Sequence, residues 1–348
     1  MAAEYRIYDV VSARHGTPEE EWAPHAAQTE KSFEWWYLTN VLKDEDGKTL
    51  FQHIILFHFA GSNYLKAMGL DPKAGQGHFV ANIALSDYER GLRIEDLDFA
   101  KIEGIFDSER NAVSFKGRET SLDWQFQGPG MAISGKTKRM ELDLKLSNLS
   151  GSIWNRDSIF NTEGLIAESA REEPSFYYFI PTLPLTGTVA YQDGQGNKII
   201  KKVTGEGWME RQWGDFMTKS WEWCSMRFND GDRVNLYAFP QTRHKIGCYG
   251  QKDGPIQYFE NFSLQQKAYF QARNGVWLAS SWEYDLPIKE KKYTVDILSR
   301  QDVMYGKANT LVEALGELRN AQGELVGYCV NESMDLQVTG TGPYKNII

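Results

Sequence analysis

Cysteine is scarce in this chain. Cys224, Cys248 and Cys329 are its only three in 348 residues, an odd and widely spaced set. They suit neither a disulfide framework nor a zinc knuckle, and they read as reduced thiols in a core. Histidine is scarce too, with six. His53 and His58 stand five apart in an extended run, so they point to opposite faces and cannot share a metal. No other His, Cys or Asp cluster has ligand spacing, and neither a metal nor any other cofactor is expected. Runs of lysine and arginine are missing, and the formal net charge is −9. That balance argues against nucleic acid and against an anionic membrane surface as partners. No uninterrupted apolar stretch approaches the length that spans a bilayer, so stable membrane insertion is not expected. The opening Met1-Ala2-Ala3-Glu4-Tyr5-Arg6 has no basic region leading into an apolar run. It does not read as a signal peptide, and the expected compartment is the cytoplasm. The glycosylation-like Asn148-Leu149-Ser150 then has no secretory route to give it meaning. Gly-x-Ser-x-Gly elbows and glycine-rich phosphate loops opening a helix are also absent, which removes support for serine hydrolysis and nucleotide cofactors.

Short alternating runs fill the chain instead. Met140, Leu142, Leu144 and Leu146 face one way, while Glu141, Asp143 and Lys145 face the other. That is a half-exposed antiparallel strand. Residues 49–59 follow a hairpin signal at Asp46-Gly47 and are apolar on both faces, so this strand is covered on both sides or lines a cavity. Turn signals recur at Asp193-Gly194, Asp230-Gly231, Asp253-Gly254 and Asn274-Gly275, with strands predicted between them and a last one over 336–339. Residues up to about Thr29 read as a loosely ordered polar lead-in, and 147–173 as a long connection. Helical periodicity is weak throughout. The spacing predicts an all-β protein of sandwiches or barrels, and the length suits two antiparallel domains, 1–185 and 186–348.

Aromatic content is high, at 13%. It concentrates in two stretches that also hold carboxylates, Phe33-Glu34-Trp35-Trp36-Tyr37 and Gly205-Glu206-Gly207-Trp208-Met209-Glu210-Arg211-Gln212-Trp213-Gly214-Asp215-Phe216. Two such segments suggest two walls of one apolar pocket. In the second, Trp208, Glu210 and Gln212 share one side and Met209, Arg211 and Trp213 the other. Glu210 and Arg211 therefore do not pair as neighbours, and each needs a partner elsewhere. The glycines permit bends and close backbone approach.

Glu34-Trp35-Trp36-Tyr37, Ser175-Phe176-Tyr177-Tyr178 and Gly207-Trp208-Met209-Glu210-Arg211-Gln212-Trp213-Gly214 follow one another in a characteristic order, with Trp221-Glu222-Trp223 and Gly327-Tyr328 after them. In these motifs the chain resembles the lipocalin-like family of carotenoid 1,2-hydratase (hydroxyneurosporene synthase) and AttH. Natural-product Diels–Alder cyclases belong to the same fold group. The resemblance covers nearly the whole chain and implies two tandem lipocalin-like β-barrel domains with a ligand pocket in or between them. Glu210 stands where hydratase-like members usually carry Asp, and Ile180-Pro181-Thr182 where many carry Arg. Such folds host many chemistries, so function rests on the site.

The candidate catalytic groups are Glu210, Glu34, His53 and Tyr178. Glu210 is either a proton donor with its pKa raised by desolvation or a structural partner knitting the two domains, and Glu34 has the same two readings. His53 is a proton carrier or a satisfied core histidine. Trp36, Tyr177, Trp208, Arg211, Trp213, Trp223 and Tyr237 are the candidate substrate-binding groups, and the tryptophans among them could equally be core. The expected partner is a large hydrophobic small molecule. The expected activity is a cofactor-independent cyclase of a polyene, polyketide or terpenoid, pericyclic or acid-initiated. A hydratase of an isoprenoid double bond and a non-catalytic carrier are the alternatives.

Overall fold

A computed structural model describes residues 15–25, 32–60, 78–101, 105–147, 151–156, 158, 163–167, 174–215, 221–240, 243–271, 277–304 and 310–335. Among them are one short 3-10 turn, Glu20–Trp22, and otherwise only strands. The first ten are β1 (Ser32–Asp44), β2 (Thr49–Phe59), β3 (Phe79–Asp87), β4 (Leu92–Ala100), β5 (Phe106–Asp107), β6 (Ala112–Lys116), β7 (Ser121–Gln127), β8 (Gly130–Lys136), β9 (Met140–Ser147) and β10 (Ile153–Trp154). Then come β11 (Leu165–Ala167), β12 (Pro174–Gln192), β13 (Lys198–Asp215), β14 (Trp221–Phe228), β15 (Arg233–Phe239) and β16 (His244–Gly250). The chain closes with β17 (Ile256–Phe259), β18 (Ser263–Gln271), β19 (Trp277–Asp285), β20 (Lys292–Met304), β21 (Thr310–Asn320) and β22 (Leu325–Asp335).

Two compact units result. The first holds β1–β10, β12 and β13, and the second holds β11 and β14–β22. The boundary expected between residues 185 and 186 therefore falls inside β12; the second unit takes 155–174 and then everything from 217 onward. The reason is pairing. β12 and β13 form a long hairpin whose far strand hydrogen-bonds to β1, which keeps 186–215 in the first sheet.

The first sheet runs β4-β3-β2-β1-β13-β12-β9-β8-β7-β6-β5, with β10 also paired to β12. Trp22 is fully buried and meets Trp36, Trp124 and Phe126 at ring-centroid distances of 6.5, 5.1 and 5.3 Å. Residues 15–25 are thus no loose lead-in, because their tryptophan completes an aromatic core. β9 alternates as its sequence requires, and β2 is buried along almost its whole length. Gly205 lies where an added Cβ would sit 2.2 Å from the Val41 carbonyl oxygen, so close approach of β13 to β1 demands glycine there. Pro181 cannot donate to the ladder, and the β12–β13 register shifts between Ile180 and Leu183 at that point.

The second sheet runs β17-β16-β15-β14-β22-β21-β20-β19-β18. Its core gathers Cys224, Met226, Phe228, Leu236, Trp282, Tyr284, Val295 and Cys329. All three cysteines are buried and free. The expected strand at 336–339, the Asn274-Gly275 turn and Asn148–Ser150 lie outside the described residues. Within 147–173, the described parts include the short strands β10 and β11.

Candidate functional site

The two aromatic-and-carboxylate stretches are neighbouring strands of one sheet, not opposed walls of a pocket. Trp36 pairs with Arg211, and Glu34 with Trp213, in the β1–β13 register. Because directly paired residues share a face, the candidates of the first unit sort into two sets on opposite sides of that sheet.

The Trp36 side holds Glu34, Trp36, Tyr178, Arg211 and Trp213. Arg211 is fully buried, and its Nη2 donates to Glu34 Oε2 at 2.6 Å and to the Ala23 carbonyl at 3.1 Å. Its Nη1 reaches the Trp35 carbonyl at 3.1 Å. The guanidinium carbon lies 3.8 Å from the Trp36 ring centroid and 5.5 Å from that of Trp213. Glu34 also meets His58 Nδ1 at 2.7 Å and His25 Nδ1 at 3.1 Å, while His25 Nε2 is 2.8 Å from Glu21. His25 stacks on Trp213 at 4.3 Å. Burial alone would push the Glu34 carboxyl up, but the Arg211 charge and the hydrogen bonds to His25 and His58 outweigh it. They hold Glu34 well below the usual carboxylate range, as a permanent anion. The proton-donor role expected of Glu34 is closed to it, and the bond it makes lies within the first unit rather than between domains. Tyr178 donates to the Pro18 carbonyl at 3.1 Å, and burial pushes its phenol far above the ordinary range. This side is filled, and of the Arg211 nitrogens Nε is buried with no hydrogen-bond partner among the described residues.

The opposite side holds His53, Tyr177, Trp208 and Glu210. Glu210 is buried, and its Oε1 accepts from the Tyr177 hydroxyl and, at 2.8 Å, from Trp208 Nε1. Phe179 stacks on Trp208 at 4.9 Å with an interplanar angle of 5°. His53 lies in the same cross-strand row as Thr39 and Trp208. Its Nε2 hydrogen-bonds to Asn82 Oδ1, and Asn82 in turn donates to Glu95 at 3.3 Å. Because an amide oxygen only accepts, Nε2 carries the hydrogen and Nδ1 is the basic nitrogen. That Nδ1 is buried and has no hydrogen-bond partner among the described residues. Burial, against the help of Asn82 and with a further push from Arg93, lowers the His53 pKa to about 4. His53 is a neutral imidazole, and His58 faces the other way, as their spacing required.

In the second unit Trp223 and Tyr237 are directly paired across β14 and β15, and Tyr237 stacks on Phe239 at 5.6 Å. Sequence reasoning missed the carboxyls beside them. Glu332 pairs with Trp223 in register and accepts from Trp221 Nε1. Glu222, on the other face, accepts from Ser333 Oγ at 2.8 Å and Trp282 Nε1 at 3.2 Å. A signal was available in the run Leu311-Val312-Glu313-Ala314-Leu315, where one carboxylate interrupts a strand otherwise fit for a core. His25 and Glu21 carried no such pattern.

Among the described residues, no three His, Cys, Asp or Glu side chains are grouped to hold a metal ion, and no helix is long and apolar enough to cross a membrane. An open cleft of about 1120 Å³ in the first unit is lined by charged groups such as Lys101, Arg110, Asp123 and Glu141, and none of the candidate catalytic or substrate-binding residues borders it.

No curated protein matches the sequence. Among solved structures, an AttH protein from Nitrosomonas europaea superposes with a TM-score of 0.71 at 16% identity, covering 94% of this chain and 98% of that one. Kievitone hydratase from Nectria haematococca superposes at 0.63 and 10% identity, covering 87% and 89%. At such identities the likeness shows the fold alone, two tandem lipocalin-like β domains. The sequence itself matches the AttH-like family over residues 18–322. Matched across nearly its whole length, the chain belongs to the AttH-like family.

Proposed function

We propose that the chain is a lyase-type enzyme that protonates a carbon–carbon double bond of a large apolar small molecule and lets water add. The observation that carries this reading is the buried Tyr177–Glu210–Trp208 trio. The Tyr177 hydroxyl and the Trp208 Nε1 both donate to Glu210 Oε1. A buried carboxylic acid among aromatic rings suits protonation of an alkene, since ring faces steady a developing cation. In balance, the proton adds to one alkene carbon and water attacks the other. The proton that the water sheds goes to a base. His53 offers a neutral Nδ1 on the same face, two strand spacings or about 10 Å from Trp208. That separation leaves a substrate between acid and base.

Acid-initiated cyclisation is the second reading, favoured by the concentration of tryptophan. It shares the first step, and a second double bond replaces water in capturing the cation. A pericyclic cyclase needs chiefly a shaped surface, and a carrier needs no proton donor.

The test is mass spectrometry of what the purified protein converts in an extract of its own host. Gain of one water is expected, and Glu210→Gln should lower conversion about a hundredfold or more. Unchanged mass with altered retention would select cyclisation. A ligand returned unaltered, or full conversion by the Gln variant, would sink the acid-catalysed reading.

A further inference from the structure

The side chains behind His53 form a short cross-strand row. His53 on β2, Ala84 on β3 and Glu95 on β4 are paired in succession. Asn82 lies two residues before Ala84 on the same face, so it is a diagonal neighbour of both His53 and Glu95. The alanine between those two carries only a methyl group, which leaves room for the Asn82 amide to reach either side. His53, Asn82 and Ala84 are buried, while the Glu95 side chain is 18% exposed.

Two contacts fix the direction of that amide. Its Nδ2 donates to Glu95 Oε1 at 3.3 Å, and its Oδ1 meets His53 Nε2. A carboxylate only accepts, so the end of the amide facing Glu95 is the NH2 and the end facing His53 is the oxygen. Turned the other way, the amide would set its oxygen against the carboxylate. Arg93 Nη2 lies 3.8 Å from the other Glu95 oxygen, Oε2, so the carboxylate meets a donor on one side and a cation on the other.

The same contacts explain why residue 82 is an amide and not an acid. An aspartate there would set a second carboxylate against Glu95. Its charge would also draw another proton onto the imidazole and close Nδ1. A neutral acceptor fixes the tautomer and leaves the ring uncharged, in keeping with the burial that lowers the His53 pKa to about 4. What remains is Nδ1, buried and without a hydrogen-bond partner among the described residues. A lone pair in that condition points to a donor that arrives from outside the chain, and the water of the proposed addition supplies an O–H.

We infer that Asn82 and Glu95 are positioning residues: Glu95 orients the Asn82 amide, and the amide holds His53 with its hydrogen on Nε2 and its Nδ1 open to the O–H of the water that adds. Both act through His53. In the step, the water oxygen bonds to the cationic carbon as its O–H bond breaks, and the proton passes to Nδ1. The base role rests on the reading above, but the fixed tautomer does not.

The experiment is nuclear magnetic resonance of the full chain labelled with nitrogen-15 in histidine, at pH 7. Long-range proton–nitrogen correlations show which ring nitrogen carries the hydrogen, and the His53 signals are those that vanish in His53→Gln. In the wild type the hydrogen is expected on Nε2 alone. Asn82→Leu and Glu95→Leu, with folding checked by circular dichroism, should give a mixture of both tautomers. Asn82→Asp should restore the Nε2 hydrogen and raise the pH at which the ring gains a second proton, a rescue that a merely space-filling Asn82 would not show. A hydrogen on Nδ1 in the wild type, or an unchanged tautomer in Asn82→Leu, overturns the proposal. An unchanged tautomer in Glu95→Leu alone removes Glu95 from it. Conversion of the host extract is then compared, where Asn82→Leu should cost about tenfold or more. A lost tautomer with full conversion overturns His53 as the base. If wild-type protein converts nothing, the enzymatic reading fails, and the tautomer still decides whether Asn82 and Glu95 position the ring.

Discussion

Glu34 and Glu332 are glutamates of similar burial, 3% and 8% exposed, on strands of the two units. One is held as an anion and the other is driven toward the acid. Desolvation is the largest influence on both and pushes both the same way. The partner makes the difference. Glu34 faces a guanidinium and two imidazoles, so Coulomb attraction and hydrogen bonding exceed the penalty of burial. At Glu332 burial raises the pKa more than the neighbouring Glu313 and the Trp221 indole lower it. Burial alone therefore does not mark a proton donor, and the charge of what surrounds a carboxyl decides its chemistry.

The comparison breaks most violently at Arg211. Removing the guanidinium in Arg211→Met leaves Glu34 buried beside two histidines with no fixed cation. A cost of about 3–5 kcal/mol is expected from such an uncompensated charge, read as a lower midpoint in chemical denaturation. The double variant Glu34→Gln/Arg211→Met should recover most of it, because a neutral pair needs no counterion. A loss below about 1 kcal/mol in the single variant would show that Glu34 is not held by charge, and the contrast with Glu332 would lose one side.

His53 adds a third case, a buried group whose partner is neutral. Its folded pKa of about 4 lies below the unfolded value of about 6.5. The unfolded chain then binds more protons between these values, so stability is fully present above about pH 6.5 and is lost as pH falls toward 4. The drop should reach roughly 3 kcal/mol. It should disappear in a His53→Gln variant that still folds, and nuclear magnetic resonance should show His53 unprotonated at pH 5. Protonation near pH 6.5 would place His53 in contact with water and remove it as the buried base.

How far these contrasts can be read from sequence depends on the range of the physics. Alternation and turn chemistry are local, so the all-β class, most strands and the opposite facing of His53 and His58 follow from spacing. Glu210 and Arg211 were separable for the same reason. Partners are not local. Arg211 meets Glu34 across 177 positions and Trp35 across 176, and no periodicity announces a pairing at that range. The two tryptophan stretches looked like facing walls because sequence shows their composition and not their register. The domain boundary moved for a related reason, since β12 and β13 return to pair beside β1. Glu313 is a single carboxylate in an apolar run and Glu332 sits in the polar run Asn331-Glu332-Ser333, and only their register makes them a pair.

The smallest expected effect is also the one that sharpens the comparison most, because it tests a sign. A carboxyl whose folded pKa is raised binds more protons folded than unfolded. Its contribution is complete below the unfolded value near 4.3 and is lost as pH rises through the folded value. Glu34 has the opposite sense, complete above about 4.3 and lost as pH falls below it. Glutamine imitates the protonated form, so Glu332→Gln should flatten the alkaline fall in stability and leave the acid side unchanged. Glu34→Gln should flatten the acid fall and lower stability at neutral pH. A gain in stability for Glu332→Gln at pH 9 is the expected direction. Denaturation midpoints of both variants at pH 4, 7 and 9 measure it. If Glu332→Gln instead loses stability at pH 9, the second unit tolerates both glutamates as anions, and the two carboxyls differ in partner but not in charge.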